Sequence, residues 1–236
     1  MLENTCQKLW PLLNKEVSLV ITTHHKPDGD ALGSSLGLYH FFKSKGWQVT
    51  VVSPTDYSSN FNWMPGQQEI VNYDVNPEKA KEFVENADIL FCLDFNNLSR
   101  INDLSALAKN SKSKKVMIDH HEYPEGFDDF RFWNPKASST AELIYQFVAT
   151  FDHENWMNLE AAKCLYVGIM TDTGSFRHDS TTAITHLVAK KVHDLGIQTS
   201  KIHELVFDRG KLSRTRLVGY VLYHKLAVME DMPVAI

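Results

Sequence analysis

The chain has 236 residues and a mass of 27.0 kDa, enough for one sizeable α/β core and the start of a second unit. Hydrophobic residues at 43% and charged residues at 22% exclude a disordered or membrane-embedded chain. A net charge of -5 and a pI near 6.1 exclude a protein that holds long duplex DNA by neutralising one phosphate after another, so small or short substrates are favoured. Glu3 precedes any apolar stretch and no run approaches the roughly 18 apolar residues of a membrane span, so no membrane partner is expected and the cytoplasm is the expected address. Cys6, Cys92 and Cys164 are odd in number and far apart, and read as packing residues rather than a disulfide framework.

In chain order, Leu2, Cys6, Leu9, Trp10 and Leu13 recur at helical spacing, and Val17 to Thr23 is β-branched and apolar enough for a buried strand ending at His24. Ala31 to Lys45 predicts a helix stopped by Gly46, and Val49 to Val52 the next strand. Tyr57 to Gly66 reads as a long loop. Asn76 and Pro77 suit an N-cap and first helical position, and the helix leads to the strand Ile89 to Leu93, which ends at Asp94. A helix around Leu104 and Leu107 precedes the strand Val116 to Ile118, which ends at Asp119. Ser139 and Glu142 have capping-box spacing, Asn158 suits the cap of a helix through Val167, and further helices are predicted over Thr182 to Leu195, Thr199 to Phe207 and Leu212 to about His224. Alternating strands and helices followed by a helical second half predict an α/β fold with a doubly wound, mostly parallel sheet.

In such sheets ligands sit beyond the carboxyl ends of the strands, and three predicted strands end in His24, Asp94 and Asp119. His24-His25-Lys26-Pro27-Asp28-Gly29-Asp30 gathers an imidazole and two carboxylates in one strand-to-helix turn; alone it reads equally as a turn with an Asp cap. Asp94 ends an apolar strand, where an unpaired charge is costly, though a helix-capping Asp fits that position too. Asp119-His120-His121 pairs an acid with two imidazoles at a strand end, which suits a metal site, though a His doublet on the surface fits the same residues. Asp172 falls where a helix ends, in Thr171-Asp172-Thr173-Gly174-Ser175-Phe176-Arg177, a position that opposes the helix dipole unless a cation is near. Arg177 suits a phosphate or plain solvent.

Taken together, His24, Asp28 and Asp30, then Asp94, then Asp119-His120-His121, then Asp172 resemble the four signature motifs of the DHH phosphoesterase family, in order and spacing, across residues 20 to 180. The wording around Asp28 and Asp172 looks most like the branch of oligoribonucleases (nanoRNases) and 3′-phosphoadenosine 5′-phosphate (pAp) phosphatases. The resemblance implies two divalent metal ions: His24, Asp28 and Asp94 on one, and Asp30, Asp94, His120 and Asp172 on the other, with Asp94 bridging. Four crowded carboxylates repel one another, and two divalent ions would cancel their charge. Oxygen and imidazole donors without thiolate favour Mn2+ or Mg2+ over structural zinc; Mn2+ is what the resemblance implies, with Co2+ as a substitute. His121 is then expected to meet the phosphate or the leaving oxygen, Asp119 to act behind it, and Arg177 and Arg100 to clamp a phosphoryl oxygen.

The expected activity is hydrolysis of short oligonucleotides or of the 3′-phosphate of pAp. A manganese pyrophosphatase, a cyclic-dinucleotide phosphodiesterase and a catalytically silent metal- or nucleotide-binding module are the alternatives. Residues 1–208 are expected to form the catalytic domain, and 209–236 a connecting helix and the start of a C-terminal substrate-binding domain. A homodimer is implied by the resemblance alone.

Overall fold

Six strands form one parallel sheet in the order β3-β2-β1-β4-β5-β6 in a computed structural model that describes residues 2–13, 16–151, 156–210 and 212–227. They are β1 (Ser18–Thr23), β2 (Gln48–Ser53), β3 (Val71–Asn72), β4 (Ile89–Leu93), β5 (Lys114–Asp119) and β6 (Phe130–Trp133). The chain moves outward from β1 to β3, returns to lay β4 beside β1, and moves outward on the other side to β6. The direction of winding therefore reverses between β1 and β4, and a crevice opens beyond their carboxyl ends.

Side chains along each strand alternate between the sheet's two faces. Leu19 and Ile21 of β1, with Ile89, Phe91 and Leu93 of β4, enter one buried cluster; Val20, Leu90 and Cys92 enter the other. The larger cluster is covered by α1 (Leu2–Leu9), α2 (Gly29–Ser44), α5 (Thr140–Ala149), α6 (Leu159–Asp172) and α7 (Ala183–Asp194). The smaller is covered by α3 (Pro77–Glu85) and α4 (Leu104–Asn110). Cys6, Cys92 and Cys164 are buried and form no disulfide with one another, in keeping with their reading as packing residues.

The register fixes the level of the site. Thr23 pairs with Leu93, and Leu93 with Ile118, so His24, Asp94 and Asp119 emerge side by side at the carboxyl ends of the strands. α2 and α6 cross almost backbone to backbone: a Cβ on Gly33 would lie 2.6 Å from the Cys164 carbonyl oxygen, and one on Gly168 2.8 Å from an Asp30 oxygen. Only glycine permits that approach, and it holds the ends of α2 and α6 together.

The predicted elements form with small differences. α2 begins at Gly29, so Asp30 lies in its first turn with Asp28 as N-cap. Asn76 occupies the N-cap of α3 but its side chain makes no capping bond there. Strands β3 and β6, of two and four residues, are too short to show periodicity and were not foreseen. The helix expected over Thr199 to Phe207 is α8 (Thr199–His203) followed by a π-helical segment, Glu204–Asp208. α9 (Leu212–His224) has no buried residue along its length. Met232 and Pro233 lie outside the described residues. Among the described residues no helix is long and apolar enough to cross a membrane.

Candidate metal centre

β1 delivers His24 to the crevice with its imidazole already oriented. Its Nδ1 lies 2.8 Å from the His25 carbonyl oxygen, which can only accept, so the proton resides on Nδ1 and the lone pair on Nε2. Nε2 faces Asp94 Oδ2 at 3.5 Å and Asp28 Oδ2 at 3.8 Å. Asp28 caps α2 through Oδ1, which accepts from the N–H groups of Asp30 and Ala31. Capping and presentation to the crevice are thus divided between its two oxygens.

Asp94 stands at the centre. Its φ of +65° turns the chain sharply at the end of β4, a conformation that Asp and Asn tolerate better than most residues. While Oδ2 faces His24, Oδ1 lies 3.6 Å from His120 Nε2 and accepts a 2.9 Å bond from the Thr140 hydroxyl. The carboxylate therefore looks two ways. His120 Nε2 also approaches Asp172 Oδ2 at 3.4 Å and Asp30 Oδ2 at 3.9 Å. Asp30, fully buried, accepts from the backbone N–H groups of Thr140 at 2.6 Å and Ala141 at 2.8 Å, at the positive end of α5.

Donor atoms of His24, Asp28 and Asp94 lie within 4.8 Å of one another, as do those of Asp30, His120 and Asp172, and those of Asp94, His120 and His121. His121 Nδ1 is 2.8 Å from Asp119 Oδ1, which holds that ring nitrogen, and its carbonyl accepts from the Trp133 indole N–H at 2.7 Å. The other Asp119 oxygen is buried and has no hydrogen-bond partner among the described residues.

Electrostatics report the crowding. Burial pushes the Asp172 carboxyl up to about 8, with repulsion from Asp94 and Asp28 adding to it. Asp30 is raised well above the ordinary range by burial and by the charges of Asp94 and Asp172, against the pull of its two backbone donors. Burial also works against ionisation of Asp94, but contact with His24 and the charges of His120, His24 and His121 prevail and hold it at about 2. The Asp119 contact raises His121 against the effect of burial, and Arg100 stands close enough to oppose the rise. Burial lowers the basicity of His24, yet Asp94 leaves its pKa above the ordinary value. Repulsion among acids crowded around an ionised Asp94 is the kind that divalent cations held between them would relieve. The donor set is oxygen and imidazole nitrogen, suited to hard or borderline divalent ions.

The two arginines differ. Arg100 lies within electrostatic reach of His121, and its carbonyl holds the His25 backbone and ring. Arg177 is exposed and turns Nε onto the Gly174 carbonyl of its own loop at 2.7 Å.

Two features escaped the sequence reading. Thr140 touches both Asp30 and Asp94, and only its place in the Ser138-Ser139-Thr140 run before a helix hinted at a polar task. The Ser139 cap forms, accepting from Glu142 N–H, but the Glu142 carboxylate reaches Ser138 and the hydroxyls of Thr182 and Thr185 rather than completing the box. The acid ties α5 to the N-cap of α7 because both helices start at the same buried corner.

Comparison with known proteins gives a consistent picture. Residues 18–169 match the DHH family, N-terminal domain. The probable bifunctional oligoribonuclease and PAP phosphatase NrnA of Streptococcus mutans is 32% identical over 177 residues, covering 74% of this chain and 52% of that protein. Its counterpart from Thermus thermophilus is 30% identical over 207 residues, covering 88% and 59%. An exopolyphosphatase-related protein from Bacteroides fragilis superposes with a TM-score of 0.94 at 37% identity, covering 97% of this chain and 67% of that one. The chain thus spans between half and three fifths of the length of these curated relatives.

Proposed function

This chain belongs to the DHH family, and from that premise we propose that it is a phosphoesterase that binds two divalent cations and hydrolyses short oligonucleotides or the 3′-phosphate of pAp. The observation that carries the reading is the two-faced Asp94, with His24 on one side and His120 on the other. His24, Asp28 and Asp94 would hold one ion, and Asp30, Asp94, His120 and Asp172 the other, with Mn2+ the favoured metal and Mg2+ or Co2+ the substitutes. Such a pair would supply a hydroxide at neutral pH and charge stabilisation for the phosphoryl oxygens.

The protein's own groups would divide the remaining work. His121, its Nδ1 engaged by Asp119, would turn Nε2 to the phosphoryl or leaving oxygen. Arg100, within electrostatic reach of His121, would attract a non-bridging oxygen. Arg177 would have to leave the Gly174 carbonyl to do the same. Thr140 would keep Asp94 from rotating. The relatives named for oligoribonuclease and PAP phosphatase activity support the substrate class.

The test is a panel assayed with Mn2+: pAp, an RNA dinucleotide, long single-stranded DNA, pyrophosphate and a cyclic dinucleotide, each with wild type and Asp94→Asn. Release from pAp or the dinucleotide is expected. Asn tolerates the left-handed backbone, so the variant isolates the charge, and turnover should fall by more than about a hundredfold, beyond the loss typical of groups that merely orient a ligand. Hydrolysis of pyrophosphate or the cyclic dinucleotide alone would redirect the assignment. No release from any substrate would favour a silent binding module.

A further inference from the structure

A cleft of about 790 Å³ is lined by Asp28 of the candidate metal centre, by Thr171 next to Asp172, and by the start of α9, a volume in the usual range for small-molecule sites. One wall is the 3-10 turn Ser59–Phe61, capped by Ser58, and the other is the π-helical segment Glu204–Asp208 with the first turns of α9. Asn60 Nδ2 donates to the Val206 carbonyl at 2.9 Å and fixes the two walls to each other. π-helical segments recur at functional sites because the extra residue in the turn displaces a side chain from its helical position.

The cleft is lined by charges of both signs, Asp28 and the two guanidinium groups of Arg209 and Arg214. Asp28 belongs to the candidate metal centre, where the scissile phosphate would lie, while Arg209 and Arg214 come from the segment that leads into α9 and from its first turn. Neither guanidinium forms an ion pair among the described residues; Glu204, whose carboxyl feels Arg209, gives both oxygens to Lys201. Phe207, 47% exposed, and Leu217 line the same cleft. An exposed phenyl ring and two arginines on one cleft match a base with an attached phosphate, since stacking and charge-assisted bonds are the two means by which proteins hold short single strands.

We propose that this cleft is the subsite for the part of the substrate that is not cleaved, with Arg209 and Arg214 on a second phosphate and Phe207 on a base. It deepens the phosphoesterase reading and rests on it for the position of the scissile phosphate. The class it selects is a nucleotide carrying two phosphates separated by a nucleoside. Pyrophosphate, whose phosphates share one oxygen, has nothing to place on Phe207.

The test is calorimetric binding of a 5′-phosphorylated adenylyl dinucleotide in the presence of Mn2+, comparing wild type with Arg209→Gln/Arg214→Gln and with Phe207→Ala. The double variant should bind the dinucleotide about tenfold more weakly or worse, the loss that follows from removing bonds to a charged group, with Mn2+ affinity unchanged. Phe207→Ala should weaken the dinucleotide but not an abasic analogue. Equal dinucleotide affinity in wild type and double variant, no dinucleotide binding by wild type, or a parallel loss of Mn2+ affinity would each overturn the subsite. Binding through the arginines without any release of nucleotide would leave the subsite standing and remove the proposed hydrolysis.

Discussion

Asp94 depends on Thr140 for its orientation. The threonine hydroxyl donates to Oδ1 while the same residue's backbone N–H donates to Asp30, so one residue aligns acids from two different elements. Replacing Thr140 with valine keeps the shape and removes only the hydroxyl bond. Mn2+ affinity should fall about tenfold, as it does when groups behind metal ligands are lost, and a calorimetric titration showing no change would remove Thr140 from the site's machinery. The perturbed acids also set a pH signature. Asp172, raised to about 8, and Asp30, raised in the same direction, bind protons in the folded state that the unfolded chain has released. Metal-free protein should therefore lose stability as pH rises from about 4 to about 8. His24 and His121, both raised, contribute the same sign above their unfolded value of 6.5. Asp94, held at about 2, acts in the opposite sense, but its contribution is complete by about pH 4 and does not mask the trend. Chemical denaturation in chelator at about pH 5 and about pH 8 checks this; a higher midpoint at the alkaline value would refute it. With Mn2+ added, alkaline pH should favour the folded, metal-bound form, because binding displaces the protons.

At the scale of elements, the glycines where α2 meets α6 matter more than any cap. A Cβ at Gly168 would stand 2.5 Å from Ala141 Cβ and 2.8 Å from an Asp30 oxygen, against two helices that both carry site residues. Gly168→Ala should cost about 1 to 3 kcal/mol of stability by overpacking and lower Mn2+ affinity along with it, since the atom displaced belongs to Asp30. Thermal unfolding with a parallel metal titration separates the two effects. Lost stability with intact metal affinity would mean that the crossing supports the fold without positioning the acids. Glu142 has a related task, since its buried carboxylate joins the start of α5 to Thr182 and Thr185 of α7. This network keeps the α5 N-terminus, and so its bonds to Asp30, in place.

For the whole molecule, the candidate centre draws on four separated stretches of chain, so a metal held there would be thermodynamically linked to the fold. Residues from β1 and α2, the end of β4, the end of β5 and the end of α6 meet only when the sheet and its covering helices are assembled. Mn2+ at about a hundred times its dissociation constant should add about 2.7 kcal/mol to unfolding stability, and a chelator should reverse the gain. An unfolding temperature unmoved by Mn2+ or Mg2+ would argue that the cluster does not bind divalent ions. The C-terminal portion bears differently on function. α9 is solvent-exposed along its length yet places Ser213, Arg214 and Leu217 on the cleft. We propose, in line with the expected boundary near residue 208, that this helix leads into a separate substrate-binding unit, for which the greater length of the curated relatives is the support.

Most elements, and the residues that gather in the candidate centre, are legible in the sequence. Strand-end His24, Asp94 and Asp119 were legible because apolar runs that stop at a charged or imidazole side chain mark both a strand's end and its level in a parallel sheet. The acid at the end of α6 was legible because it conflicts with the helix dipole. Tertiary structure decided what touches what. Edge strands β3 and β6 exist only because neighbours offer them hydrogen bonds. Thr140 gained its importance because α5 starts against Asp30, and Arg177 turned to its own loop while Arg100 came near His121. The cleft beside Asp28 joins residues near positions 60, 171 and 210, whose distance along the chain carries no periodicity or motif. Local sequence encodes propensity and charge, but convergence of distant side chains is set by packing, which only the folded chain displays.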